Sequence, residues 1–279
     1  MSLGVIAAVL FGALLHALWN TLAKRNAGRA GDAVVVGIMA GIPAALTLPW
    51  SDMPLRAAWL QILVSAIIHV GYFKVLAGAY RGGDLSVAYP LMRGLPPLVV
   101  AAAAVSVFGE SLSVAAWCAL LALIVGVLLL GWEGLRGGAL SNSAARFVGI
   151  QIVIIVVYTL VDASGVRAAG NAWSYIAWMF ALTSIGLVPF SLASLRGIGA
   201  AGARAASVAL LGGLCTLGSY GIALWAMTRA PVALVAALRE TSILIGAVLG
   251  AGLLGERFGA RRWIAVLMVL AGVVGMRLV

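Results

Sequence analysis

Nearly all of the chain consists of apolar stretches about twenty residues long, separated by short polar connections. Runs of that length and character cross a bilayer as helices, because each backbone N–H and C=O must find its partner within its own segment. Uncharged apolar windows give about ten such spans: 3–22, 33–49, 58–79, 85–107, 112–131, 147–168, 173–193, 207–227, 232–254 and 262–278. Composition points the same way. Hydrophobic residues make up 64%, charged residues 9%, and the mean hydropathy is +1.15, which excludes an ordinary soluble domain. The expected fold class is an all-α membrane protein with ten transmembrane helices, partnered by the lipid bilayer.

A net charge of +10 would suggest nucleic acid in a soluble chain. Here it reads as the excess of Lys and Arg that holds loops in the cytoplasm, so no nucleic-acid partner is expected. Eleven basic residues fall in the connections after odd-numbered spans, including Lys24, Arg25, Arg81 and Arg136. Only Arg56, Arg167, Arg229 and Arg277 fall on the other side. That bias predicts both termini outside a bacterial-type inner (plasma) membrane. The first span has Lys24-Arg25 after it and no basic residue before it, which fits insertion as a helix rather than a cleaved signal. The two cysteines, Cys118 and Cys215, lie inside spans and suggest neither a disulfide framework nor a zinc site.

The chain also repeats itself. At an offset of 146, Arg93 falls on Arg239, Gly109-Glu110 on Gly255-Glu256, Trp117 on Trp263 and Gly126-Val127 on Gly272-Val273. At 142, His16, Asn20 and Arg25 fall on Tyr158, Asp162 and Arg167. Each copy would hold five helices. An odd number sends the second copy into the membrane from the opposite side, which predicts two inverted five-helix repeats. Their boundaries are 1–137 and 147–279, joined by a polar linker at 138–146.

Two Gly-Glu motifs, each leading into an aromatic-headed helix, "FGESLSVAAW" and "LGERFGARRW", accompany "HALWNTLAKR" on the first span. Together they resemble the drug/metabolite transporter superfamily, specifically its ten-helix EamA-type members, over essentially the whole chain. Trp19-Asn20 and Lys24 match one family motif; Glu110 with Gly126, and Glu256 with Gly272, match the other in both copies. The sixth helix departs from the pattern, with Tyr158 and Asp162 and no Trp–Lys pair. The resemblance implies a secondary transporter of amino acids, amines or nucleotide-type metabolites, by efflux or uptake.

Ionisable residues at bilayer depth are costly and mark candidate sites. Arg93 and Arg239 each lie roughly 12–14 Å into a span. Glu240 points about 100° away from its neighbour Arg239 and must pair elsewhere, with Lys74 or Arg93, or else carry a coupling proton. His16, Trp19 and Asn20 share one face of the first helix; His69 and Tyr72 share one on the third, and Tyr89 and Arg93 one on the fourth. Such polar-aromatic faces suit a small-molecule site. The candidate substrate-binding residues are therefore His16, Trp19, Asn20, His69, Tyr72, Lys74, Tyr89, Arg93, Tyr220, Arg239 and Glu240. Glu240 and Asp162 are the proton-coupling candidates, with Asp162 expected nearer the outer surface. Lys74 could instead snorkel to the headgroups. Glu110 and Glu256 are expected to cap the helix that follows each of them. Tryptophans near span ends form an interfacial belt, and Gly246 with Gly250 makes a small-xxx-small packing pair, in cis or in a homodimer.

In "YPLMRGLPPLVV", Pro96 and Pro97 deny donors to the carbonyls of Met92 and Arg93. This predicts a kinked cavity wall in the first half alone, since the matching stretch has Ser242 and Ile243 where the prolines were. No phosphate-binding loop, metal-ligand cluster or catalytic constellation is present, so neither an enzyme nor a cofactor is expected. The expected function is secondary transport of a small polar metabolite, namely an amino acid, a related zwitterion or an organic acid or phosphonate. Proton coupling or exchange would drive it. The alternatives are a channel and a non-transporting membrane sensor.

Overall fold

The computed structural model describes residues 1–25, 33–82, 92–136, 142–245 and 260–278. Every regular element among them is helical: α1 Leu3–Arg25, α2 Ala33–Thr47, α3 Trp59–Gly82, α4 Pro96–Phe108, α5 Val114–Arg136 and α6 Asn142–Ala168. They continue as α7 Ala172–Leu187, α8 Leu192–Ala201, α9 Ala203–Met227, α10 Val232–Arg239 and α11 Ala260–Leu278. Among the described residues, six spans are long and apolar enough to cross a membrane, and Met92–Phe108, Val114–Leu129 and Trp263–Gly275 are shorter apolar helices. The expected span 232–254 appears as α10 followed by a helical turn at 241–245; the rest of it lies outside the described residues. The short helix α8 falls in a stretch that sequence reading left as a connection.

The polarity of the bundle is that of a membrane protein. Large apolar side chains such as Ile67 (73% exposed), Leu60 (71%) and Leu267 (62%) face outward, while Arg93 (3%), Glu240 (4%), Arg239 (7%) and Asp162 (0%) are inside. In lipid the outward residues gain nothing by burial, so the helices are held by close approach and by internal polar contacts. Helix α1 packs on α9 and α3 on α6; α2 packs on α7, α4 on α10, and α5 on α11. One interhelical polar contact is the Ser184 hydroxyl of α7 donating to the Ile38 carbonyl of α2 at 3.1 Å.

Two glycines at matching sequence positions explain the close approach of α5 and α11. A Cβ built on Gly126 of α5 would lie 2.8 Å from the Ala265 carbonyl oxygen of α11. One on Gly272 of α11 would lie 2.7 Å from the Ala119 carbonyl oxygen of α5. Each glycine admits the backbone of the other's helix, and neither approach tolerates a side chain. Gly272→Leu is therefore expected to destabilise the protein by about 1–3 kcal/mol, the usual cost of overpacking. It would read as a lowered melting temperature in detergent, whereas leucine at the outward Val274 (57% exposed) should leave it unchanged.

Local rules set the helix ends. Gly109, at φ 63°, terminates α4 in the left-handed conformation, its N–H reaching the Ala104 carbonyl. Asn171 caps α7, its side chain accepting from the Trp173 N–H at 2.9 Å. Pro96 and Pro97 sit in the first turn of α4, where a missing N–H costs little. Helical residues 92–94 precede them, with the bend at Leu95. The break is not confined to the first half. Helix α10 also ends in mid-membrane, at Glu240, without a proline. There the ladder tightens to three-residue spacing: Glu240 N–H to Ala237 O at 3.0 Å, and Ile243 N–H to Glu240 O at 3.0 Å. The Thr241 hydroxyl donates to the Leu238 carbonyl at 2.7 Å, competing for a backbone acceptor at this break.

Candidate functional site

Helices α1, α3, α6, α7 and α9 meet around Asp162. This residue is fully buried within the bundle, with hydroxyls from two other helices on its carboxylate. The Tyr175 hydroxyl of α7 donates to Asp162 Oδ1 at 2.8 Å, and the Tyr220 hydroxyl of α9 donates to Oδ2. From α3, His69 Nε2 stands 4.0 Å from Oδ2. Its other ring nitrogen, Nδ1, is held by Ser65, 3.1 Å from the hydroxyl and 3.0 Å from the carbonyl. The His69 ring also lies against Tyr158 (centroids 4.7 Å apart) and Tyr220 (5.5 Å), and Tyr72 packs edge-on to Tyr158 at 5.6 Å.

Arg239 completes this group from the end of α10. Its guanidinium lies 4.8 Å from the centre of the Tyr220 ring. One tyrosine thus carries a cation on its face and a carboxylate at its hydroxyl. His16 and Trp19 close the remaining side, with Trp19 Nε1 donating to His16 Nδ1 at 3.2 Å. The space lined by His16, Trp19, His69, Tyr158, Tyr220 and Arg239 is about 30 Å³, on the order of one water molecule. The site is narrow, its own side chains filling most of the space between the helices.

Beside it, Arg93 and Glu240 form a fork. Arg93 Nη2 lies 2.8 Å from Glu240 Oε1, and Nε donates to Oε2 at 3.1 Å. The Nε contact is a hydrogen bond and the Nη2 contact a charge pairing, both between buried partners. They tie the segment before α4 to the end of α10. Of the two partners considered for Glu240, the structure selects Arg93.

Comparison with known proteins decides the family. Residues 145–278 match the EamA-like transporter family. The spermidine export protein MdtI of Yersinia pestis (strain Pestoides F) is 34% identical over 97 residues, which is 35% of this chain and 87% of that one. MdtI of Yersinia pseudotuberculosis (serotype I, strain IP32953) is 33% identical over the same length. The chain belongs to the drug/metabolite transporter superfamily. It is a multi-pass membrane transporter, and these relatives are transporters rather than enzymes. A solved crystal structure shares the fold with a TM-score of 0.72, over 98% of this chain and 95% of that one, at 16% identity.

The superfamily's Gly-Glu motif has a different task here from the one expected. Ser113 caps α5, its hydroxyl accepting from the Ala116 N–H at 3.1 Å. Glu110 reaches away from its own helix to α10. Its Oε1 accepts from the Val232 N–H at 2.8 Å, and its Oε2 from the Ala233 N–H at 3.5 Å. Helix α10 begins after Pro231, whose side chain offers no cap, so its orphan amides need an outside acceptor. Arg167 completes the turn. It donates to Glu110 at 3.0 Å and to the Met227 carbonyl at 2.9 Å, joining α6 to the α9–α10 connection. Glu256 lies outside the described residues.

The sequence-derived candidates divide accordingly. His16, Trp19, His69, Tyr72, Tyr220 and Arg239 line the narrow cavity. Arg93 and Glu240 pair beside it. Asn20 turns back on its own helix, its side-chain amide donating to the His16 carbonyl at 2.8 Å. Lys74 stands apart: it is exposed, with its ammonium 3.9 Å from the centre of the Phe190 ring, as snorkelling would have it. Tyr89 lies outside the described residues. Sequence reading missed Tyr175 and Phe180 of α7; a lone aromatic in an apolar span carries no pattern. Tyr158 did carry one, four residues before the proton-coupling candidate Asp162 on α6, yet in the sequence it figures only as a repeat partner and a departure from the family pattern.

Proposed function

We propose that the chain is a ten-span secondary active transporter for a small zwitterion of the amino-acid class, working by alternating access of two inverted five-helix halves. The packing supports the halves. Exchanging each helix for its expected counterpart turns the α1–α9 contact into the α6–α3 contact, and both exist. The pairs α2–α7, α4–α10 and α5–α11 map onto themselves. The reciprocal Gly126 and Gly272 contacts, and the helix breaks beside Arg93 and Arg239, fit the same two-fold relation. So does the MdtI relative, which is less than half as long as this chain.

One observation carries the substrate class: Asp162 and Arg239 engage opposite parts of Tyr220 on one narrow, aromatic-walled cavity. A ligand carboxylate would meet Arg239 on the cavity wall, and its ammonium would reach Asp162, which lies behind that wall, by taking the place of the Tyr220 hydroxyl. Lys74 lies outside the cavity, so Arg93 and Arg239 are balanced by Asp162 and Glu240 and the case for purely anionic substrates falls away. The name of MdtI points to an organic cation, which would satisfy Asp162 and leave Arg239 unanswered. Coupling is assigned to Asp162 with His69, because Glu240 is engaged by Arg93. A cavity of about 30 Å³ is no continuous pore, which favours a transporter over a channel.

Thermal-shift screening of purified protein against amino acids, polyamines and dicarboxylates tests this reading. Amino acids are expected to raise the melting temperature, and Arg239→Gln to remove the effect. Stabilisation by polyamines alone would contradict it.

A further inference from the structure

Two adjoining spaces open at the membrane face that carries the α6–α7 and α9–α10 connections. The first is an open cleft of about 860 Å³, with Asp52, Arg167, Asn171 and Arg229 on its walls. Ala172, Trp173 and Trp225 belong to its lining and also to that of a second space, an apolar groove of about 250 Å³ between α7 and α9. The groove passes Ile176 on one side and Gly218, Gly221 and Ile222 on the other. From Leu217 to Trp225 it follows α9 for about 12 Å.

We propose that cleft and groove together form a binding site for an anionic phospholipid of the surrounding membrane, its phosphate headgroup in the cleft and the upper part of one acyl chain in the groove. The shape selects a chain. A helix about 10 Å across would need several times the volume of the groove over that length. The electrostatics select the headgroup. Arg167 is held by Glu110 at 3.0 Å, and Asp52 accepts from the Asn171 side-chain amide at 3.3 Å, so the guanidinium of Arg229, which has no ion pair among the described residues, is the one placed to take a phosphate. Arg229 stacks over Trp225, at 4.7 Å, where cleft meets groove. Trp173 and Trp225 stand at that junction in the manner of interfacial anchors, the level at which a phosphate lies. The groove is also roomier than packing requires. A Cβ on Gly221 would meet Ile176 only at 3.5 Å, an ordinary contact, so helix approach does not demand glycine there. A longer side chain would stand in the groove.

Native mass spectrometry of the purified protein tests this, with equimolar phosphatidylglycerol and phosphatidylcholine of matched chains. The wild type is expected to retain one phosphatidylglycerol with a preference of about fivefold or more, the effect of roughly one arginine near a headgroup. Arg229→Gln should bring the two lipids near parity. Gly221→Leu should remove the bound lipid while the melting temperature in lipid-free detergent stays at the wild-type value. Arg196→Gln, on α8 at the opposite face, should change nothing. Equal retention of both lipids by the wild type would overturn the proposal. So would an equal loss in Arg196→Gln, or undiminished phosphatidylglycerol retention in Gly221→Leu.

Discussion

Asp162→Asn is expected to weaken substrate binding by roughly 10–100-fold while the protein still folds. The substitution is nearly isosteric, and the Asn carbonyl can still accept from one of the two tyrosine hydroxyls, those of Tyr175 and Tyr220, that hold Asp162. It removes the charge. A charge-assisted hydrogen bond to a ligand ammonium is worth about 1.5–3 kcal/mol, which converts to that range of affinity. The same change should abolish accumulation driven by a pH gradient, because His69, 4.0 Å away, would lose its acidic partner. Isothermal titration with the best zwitterion from the thermal-shift screen, followed by uptake into proteoliposomes under an imposed pH gradient, reads both effects. Wild-type affinity together with wild-type gradient dependence would remove Asp162 from the mechanism.

The second large effect is on stability. Arg93→Met leaves Glu240 buried without the partner that holds both its oxygens, and breaking such a pair costs about 3–5 kcal/mol. Adding Glu240→Met removes the stranded carboxyl and should restore most of the loss, since two apolar side chains can replace a buried ion pair at little cost. Thermal unfolding of the two single variants and the double variant forms a double-mutant cycle. A large coupling energy identifies the fork as the fastener between the two broken helices. Additive losses would mean that the two residues act separately.

The spans were legible because hydrocarbon imposes one rule on the whole chain: some twenty apolar residues per crossing, with polar groups turned inward. The paired glycines were legible because Gly126 and Gly272 answer one steric demand, the close approach of α5 and α11. What sequence could not supply was pairing across helices. Asp162 reads as a single acid on α6 until Tyr175 and Tyr220 close on it from α7 and α9. Glu110 lies four residues before the start of α5 and looks like its cap, yet Ser113 takes that role and frees Glu110 for α10. The break at Glu240 has no proline to announce it, because hydroxyl competition at Thr241 depends on side-chain rotamers. Lys74 was ambiguous for a different reason. Its long stem can reach either the interior or the membrane face, and only the position of Phe190 decides between them.

In the proposed mechanism a narrow, dipolar cavity opens alternately to the two sides of the membrane for one zwitterion at a time. Counterflow in proteoliposomes tests it most directly, with vesicles preloaded with an unlabelled amino acid and exposed to a trace of the same compound carrying a radiolabel. The account predicts a transient overshoot of label inside, an initial rate that saturates with external concentration, and loss of both in Asp162→Asn. A flux that rises linearly without saturating, or an ohmic current in place of exchange, would contradict it.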